Sequence, residues 1–181
     1  DAELALKVRQ RDKDLDALEL ELETMATRVI ALRQPMAQDL RVLISALKIA
    51  STLERIGDLA KNIARRAAYL AQARPVKISH SIVNMGQATL AQLSEVLDAH
   101  GSRNAEQAVA IWKNDVKIDE MYNAIFREVV TYMMEDPRLI SKVLNLLWAL
   151  RALERIGDHA KNIAEHVIYV VEGMDVRHQG S

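Results

Sequence analysis

Two stretches of the chain are nearly the same: residues 54–64 read ERIGDLAKNIA and residues 154–164 read ERIGDHAKNIA. They agree at ten of eleven positions and lie 100 residues apart. Apolar residues recur in each copy at three- and four-residue steps, as Ile56, Ala60 and Ile63 do in the first. Such spacing places apolar side chains on one side of an α-helix. The repeat therefore predicts two related helical units within one chain.

A second acidic motif precedes each copy of this string. It is a DxxxD pair, formed by Asp12 with Asp16 and by Asp115 with Asp119. The two pairs lie 103 residues apart, whereas the later strings lie 100 apart, so the intervening turns differ by three residues. Each unit is predicted to be a helix carrying DxxxD, a turn, and a helix carrying ExxxD.

The whole chain is predicted to be all-α. Half of its 181 residues are apolar but only 4% are aromatic, which favours packed helices over a β-sandwich. Helical periodicity and the spacing of Gly and Pro predict five helices, at about 2–33, 37–72, 79–99, 103–134 and 138–172. We expect two tandem three-helix bundles, a first unit over 1–75 and a second over 76–181. The helix 79–99 leads the second unit, and the first has no counterpart, so we expect that bundle to be incomplete. Either its leading helix is missing or another chain supplies the cover.

Bulk properties exclude several classes of function. The net charge is −1 with no basic stripe, which argues against a nucleic-acid partner. Without cysteine, disulfides, zinc-thiolate sites and thiol catalysis are excluded. No apolar run approaches the roughly 20 residues of a membrane span, and nothing resembles a signal peptide. The lack of cysteine also fits a reducing compartment.

The acidic pairs are candidate metal ligands. Carboxylates four residues apart project about 40° apart on one helix face. If the two helices of each unit lie side by side, four carboxylates can converge into an oxygen-rich site for magnesium, manganese or iron. The predicted ligands are Asp12, Asp16, Glu54 and Asp58 in the first unit, and Asp115, Asp119, Glu154 and Asp158 in the second.

The position of this acid face on the helix separates two interpretations. Glu54 and Asp58 lie opposite Ile56 and Ile63 on the helical wheel, which predicts a metal on the bundle surface. Exposed acids with lysine three or four residues away usually form ordinary solvated ion pairs. Against that alternative, Gly57 recurs in the second string, although glycine inside a helix costs about 1 kcal/mol relative to alanine. Something is therefore expected to approach that backbone closely, either the neighbouring helix or a ligand.

Four further residues in the strings are candidate supporting groups. Asn62 and Asn162 can hydrogen-bond a ligating carboxylate, and Arg55 and Arg155 can pair with carboxylates or hold an anion. No Gly-rich phosphate loop, nucleophile elbow or acid–base dyad is present in the sequence. The sequence therefore offers no candidate catalytic residue.

The chain resembles the PhoU family of bacterial phosphate-signalling proteins over essentially all its length. The resemblance is carried by RQPMAQDLR at 33–41, LERIGDLAKNIA at 53–64, LERIGDHAKNIAEHVIYVVEG at 153–173 and the DxxxD pairs. The second unit departs from the first of these strings, with EDPRL at 135–139, so any role of Asp39 and Arg41 is not duplicated. The family fold is two similar three-helix bundles, and this chain lacks its usual first helix.

The resemblance also implies a function. It implies a cytoplasmic, non-enzymatic negative regulator of phosphate uptake and of the phosphate-starvation response. Such a regulator is placed between a Pst-type ABC transporter and a sensor histidine kinase and reaches the membrane only through these partners. It implies a homodimer and a metal, whether iron, manganese, magnesium or zinc, held by the eight carboxylates named above. Two other classes stay open: a carboxylate–metal phosphoesterase and a metal-independent helical adaptor.

Overall fold

A computed structural model describes residues 2–70 and 79–176, and within these ranges the chain is helical with no strand. The helices are α1 (Ala2–Arg33), α2 (Gln38–Leu70), α3 (Ser79–Ser102), α4 (Ala105–Asn114), α5 (Val116–Glu135) and α6 (Ile140–Glu172). A short 3₁₀ turn, Pro137–Leu139, joins α5 to α6. The all-α prediction is confirmed. The boundary predicted at 75/76 and the end predicted at 72 lie outside the described residues.

Several helix ends follow local signals in the sequence. Asn104 caps α4, because its side-chain oxygen accepts from the Gln107 backbone N–H at 3.0 Å. Asp136 caps the 3₁₀ turn at Pro137 in the same way. Gly173 ends α6 with a left-handed φ of 72°. The helix predicted at 79–99 is longer in the structure: α3 continues past Gly101 to Ser102, and Arg103 then takes the left-handed conformation.

The fourth predicted helix, 103–134, is divided in two. Asp115 separates α4 from α5, although its own backbone is helical with φ −55° and ψ −31°. The Asp115 side chain does not cap α5, because it is engaged by side chains from other helices. No glycine or proline lies at this break, which coincides with a buried residue held by side chains from α3 and α6.

Helix α6 lies at the centre of the packing, since it contacts α2, α3, α4 and α5. One cluster of buried side chains joins α2 to α3, α4 and α6, with Ile49, Ile56, Val96, Ile163 and Val167 among its members. A second cluster joins α3, α5 and α6. Burial of these aliphatic side chains is the main favourable term for folding. The apolar packing is therefore continuous between the two related units.

Helix α1 packs against α2 as a helical hairpin, but one apolar side of α1 stays uncovered. Leu4, Leu18, Met25 and Leu32 each expose more than half of their surface. Beside them an apolar groove of about 410 Å³ runs between α1, α2, α3 and α6. The expectation of a missing cover for the first unit remains a prediction. Across the described ranges, no helix combines the length and the apolar character required to cross a bilayer.

Candidate metal site on the paired acidic helices

The second unit brings three of its predicted ligands together. Asp119 on α5 and Glu154 and Asp158 on α6 each offer an oxygen, and these oxygens lie within 4.8 Å of one another. Glu154 is mostly buried, and its Oε2 atom is enclosed with no hydrogen-bond partner. Its other oxygen, Oε1, lies 3.6 Å from Arg151 Nη1. Buried polar atoms nearly always have a partner, so a buried carboxylate oxygen that accepts no hydrogen bond is a candidate metal ligand.

The cluster carries concentrated negative charge. Burial raises the pKa of Glu154, and the Asp158 charge raises it further, while Arg151 partly offsets the rise. Burial also raises the pKa of Asp158, and the charges of Asp115 and Asp119 raise it further, while those of Lys161 and Arg151 partly offset the rise. Carboxylates that are buried close to other negative charges are stabilised either by taking up a proton or by binding a cation. Since all three ligands are oxygens, a cation here would be a hard or borderline one such as magnesium, manganese or iron.

Asp115, the fourth predicted ligand, has other partners. Its side chain is 5% exposed, and Lys161 Nζ lies 3.2 Å from its Oδ2 atom. Gln92 on α3 donates from Nε2 to Asp115 Oδ1, also at 3.2 Å. Both carboxylate oxygens therefore already face a donor. Asp115 closes one side of the cluster and is not one of its three converging ligands.

The first unit arranges the same residue types differently. Asp12 is buried, and Lys61 forms an ion pair with it. The Lys61 ammonium also donates to Asp58 Oδ1 at 2.7 Å. These hydrogen bonds to Asp12 and Asp58 raise the Lys61 pKa. A lysine cation therefore lies between two carboxylates that the sequence predicted to share a metal.

Glu54 and Asp16 complete the first group. Burial raises the pKa of Glu54, and Asp58, Glu19, Asp16 and Asp12 add to the rise in that order. The four predicted carboxylates are thus close enough to influence one another. Among the described residues, however, no three of them meet the spacing found for Asp119, Glu154 and Asp158.

The prediction that the acid faces lie wholly on the surface is wrong for two residues. Asp12 is 7% exposed and Asp115 is 4% exposed, whereas Asp16, Asp58, Asp119 and Asp158 are exposed. The first aspartate of each DxxxD pair points into the contact with the following long helix. The lysine of the repeated string reaches it there, which is why this aspartate can be buried as a charge.

The repeated glycines are explained by the neighbouring helix. A Cβ built on Gly57 would lie 2.6 Å from Leu15 Cδ1, and one built on Gly157 would lie 3.1 Å from Ile118 Cγ2. Gln92 Oε1 would also lie 3.4 Å from the second of these atoms. Of the two alternatives for what approaches the backbone, the described contacts are those of neighbouring helices.

Of the four candidate supporting residues, Asn62 has hydrogen bonds other than the one predicted for it, and the roles of the other three remain predictions. Asn62 donates to the backbone carbonyl of Asp58 at 2.9 Å and accepts from Arg65 at 3.1 Å, so it holds no carboxylate. Asn162 is exposed. Arg55 and Arg155 are exposed, and both contribute to lowering the pKa of His159, after the larger effect of burial. Arg155 also slightly lowers the pKa of Glu154.

Sequence reasoning missed the residues that neutralise the buried aspartates. Lys61 and Lys161 carried a signal, because each follows the aspartate of its string by three residues in both copies. Gln92 carried none, since it lies on the helix that has no counterpart in the first unit. Arg151 was missed as well; its guanidinium lies over the Tyr122 ring, 5.8 Å from the centroid, beside Glu154.

Fold and site together define a class: a helical protein built from duplicated helix pairs, each pair with acidic residues at the contact between its two long helices. The family model of the PhoU domain matches residues 1–67 and 82–167. The chain is 48% identical over 180 residues to the phosphate-specific transport system accessory protein PhoU homolog of Caulobacter vibrioides, covering 99% of this chain and 78% of that protein. It is 46% identical over 181 residues to the homolog from Pseudomonas aeruginosa, covering 99% and 75%.

Solved structures of PhoU proteins are also similar to this chain. The crystal structure of PhoU from Pseudomonas aeruginosa superposes with a TM-score of 0.93 at 44% identity, over 96% of this chain and 84% of that one. The phosphate transport system regulatory protein PhoU from Streptococcus pneumoniae superposes with a TM-score of 0.88 at 30% identity, over 97% and 83%. The chain belongs to the PhoU family.

Proposed function

We propose that this protein is a negative regulator of phosphate uptake and of the phosphate-starvation response. Membership of the PhoU family supports a role in phosphate transport regulation, since its relatives are named accessory or regulatory proteins of that transport system. In this proposal it is a cytoplasmic, homodimeric adaptor between an ABC phosphate transporter and a sensor histidine kinase. It reaches the membrane only through those partners and binds no nucleic acid.

The acidic faces are the proposed docking surfaces, and a metal ion is the proposed element that fixes the shape of one of them. The single observation that carries the metal is the enclosed, unpartnered Oε2 atom of Glu154 beside Asp119 and Asp158. When bound, such an ion would neutralise the three carboxylates and link α5 to α6. The protein's own contribution is to hold Asp119 and Asp158 at the open side, where a partner can reach them.

In this proposal the protein does not catalyse a reaction. The names of its relatives as accessory and regulatory proteins support this assignment. The phosphoesterase alternative has a direct test, which is hydrolysis of a phosphate monoester by metal-loaded protein. Turnover that disappears in Asp158→Asn but persists in Glu128→Gln, a change on an exposed residue of α5, would favour the enzyme instead.

The regulatory proposal is tested by charge reversal on the acid faces. In a strain lacking the natural protein, Asp58→Lys and Asp158→Lys should each weaken repression of a phosphate-starvation reporter at high phosphate. The same variants should bind the detergent-solubilised transporter or the kinase less tightly. Glu128→Lys is the matched control, because it reverses one exposed charge on α5 outside the acidic motifs. Intact repression and intact binding in both acid-face variants would rule out these faces as docking surfaces.

A further inference from the structure

The two copies of the repeated string neutralise their acids in different ways. In the first copy the Lys61 ammonium contacts both Asp12 and Asp58. In the second copy Lys161 forms an ion pair with Asp115 and none with Asp158. The lysine is the same and its position in the string is the same, so the difference comes from its surroundings.

Helix α3 supplies that difference. Gln92 donates to Asp115, and its Oε1 atom lies next to Gly157, so the second unit has a polar side chain packed at this crossing. Within the described part of the chain, no side chain takes the place of Gln92 at Asp12. The corresponding space next to Gly57 is a groove lined by Val8, Leu15 and Leu18, together with the charged residues Arg11, Asp12 and Asp14. Asp12 therefore depends on Lys61, and Lys61 lies between the two acids.

The position of Lys61 decides what else the first group can hold. An ammonium that donates to two carboxylates both fills the space between them and repels a second cation. In the second unit, Asp119, Glu154 and Asp158 converge with no lysine ion pair, and Glu154 Oε2 has no donor. Arg151 lies beside this group but contacts the other oxygen of Glu154 at 3.6 Å.

We propose that the first acidic group takes no metal because Lys61 is its resident cation, so that metal binding by this chain is confined to the second unit. The family resemblance implies equal metal sites in both units, and the first does not fit that expectation. This inference rests on the proposed metal binding of Asp119, Glu154 and Asp158. It predicts one metal site per chain, and it predicts that removal of one lysine charge opens a second.

The experiment is equilibrium dialysis of the purified chain against Mn²⁺, followed by element-resolved mass spectrometry of the bound metal per chain. The wild-type protein should hold one tight equivalent. Asp158→Asn should lose it, and Asp58→Asn should keep it. Lys61→Gln should gain a second equivalent, which should disappear again in Lys61→Gln/Asp58→Asn.

Lys161→Gln is the matched control. It removes the equivalent lysine from the second unit, where the ion is already bound, and should stay at one equivalent. Since Lys61→Gln leaves the buried Asp12 without its partner, circular dichroism must first show that the variant is folded. If it is not, Lys61→Gln/Asp12→Asn removes both charges and leaves Asp16, Glu54 and Asp58 to bind the second ion.

The outcomes separate this inference from the function on which it rests. Two equivalents in the wild type, one of them lost in Asp58→Asn, would overturn the inference and leave metal binding intact. A folded Lys61→Gln protein, or the double variant, that stays at one equivalent would overturn the role given to Lys61. No Mn²⁺ in any variant would overturn both the inference and the proposed metal binding.

Discussion

Gln92 on α3 donates a hydrogen bond to Asp115 at the start of α5, with 3.2 Å between Nε2 and Oδ1. The bond ties the helix that leads the second unit to the first aspartate of the DxxxD motif. Lys161 approaches the other oxygen of the same carboxylate. Asp115 is buried with a partner at each oxygen, while Asp158, Asp119 and Glu154 form the open group.

Removing Lys161 should destabilise the protein more than its half-exposed ion pair suggests. Lys161→Met leaves Asp115 buried with only a neutral donor, and this should lower the free energy of unfolding by about 1–3 kcal/mol. Urea denaturation followed by circular dichroism measures the change. Asp115→Asn in the Lys161→Met background should recover part of the loss, because no buried charge then remains. A Lys161→Met protein as stable as the wild type would contradict this reading of the pair.

The metal-free cluster should make stability depend on pH in a direction set by its raised pKa values. The folded-state pKa values of Glu154 and Asp158 lie above their ordinary values, so the folded protein binds protons first as pH falls. Above their folded-state pKa values, the two ionised carboxylates lower the free energy of unfolding. This destabilisation is relieved as pH falls through those pKa values. Glu154→Gln should therefore be stabilising at neutral pH, by less than about 1 kcal/mol because solvent screens the neighbouring charges.

Urea denaturation with chelator present, between pH 7 and pH 4.5, checks that prediction. The advantage of Glu154→Gln over the wild type should shrink as pH falls. Glu128→Gln, on the exposed surface of α5, should show no such trend. An advantage that grew at lower pH would mean that the Glu154 pKa is lowered and not raised.

In a separate experiment without chelator, bound Mn²⁺ should also be released over this pH range, because protons and metal compete for the same oxygens.

The two repeated glycines should respond differently to alanine. Gly157→Ala brings a methyl against Ile118, whose β-branched side chain is buried and stiff, so it should cost about 1–3 kcal/mol. Gly57→Ala meets the end of the Leu15 side chain, which lines an open groove and can rotate away, and its methyl would lie at ordinary contact distance, 3.6 Å, from Asp12 Oδ1. The helix-propensity gain of about 1 kcal/mol should offset most of its cost. Thermal unfolding of both variants measures the contrast, and equal destabilisation would contradict it.

Gly173 should be intolerant of alanine for a reason of backbone conformation. It ends α6 with a positive φ of 72°, and an added Cβ would lie 3.1 Å from Arg41 Nη1. Left-handed backbone costs a non-glycine residue about 1–2 kcal/mol, so Gly173→Ala should lower stability by at least that range. Gly101→Ala is the control, because its added methyl would meet nothing within 4 Å and its φ is not positive.

The sequence predicts the helices well because periodicity and end signals are local. Gly and Pro mark several of these ends, as Gly173 does at the end of α6 and Pro137 at the start of the 3₁₀ turn. The division at Asp115 was not predictable in the same way. It involves Gln92, 23 residues earlier, and Lys161 on α6, and neither contact leaves a mark in the residues next to Asp115.

In the candidate site, too, local features were predictable from the sequence and contacts between helices were not. Spacing along one helix correctly predicted that Glu154 and Asp158 share a face, and the duplicated DxxxD motif located Asp119 opposite them. Wheel angles could not predict that Asp12 and Asp115 are buried, because the depth of a side chain depends on how closely the neighbouring helix approaches. Gly57 and Gly157 signalled that approach, but they did not identify Leu15 and Ile118 as the side chains that make it.

The close packing at Gly57 and Gly157 also bears on the history of the chain. After an ancestral duplication, each copy would have to keep a glycine at the helix crossing and a lysine for its buried aspartate, whatever chemistry it performed. Purifying selection on packing alone can therefore hold both strings nearly identical while their uses diverge. Identity between the two strings is then compatible with different uses, and the residue that distinguishes the two crossings, Gln92 on α3, lies outside the repeat.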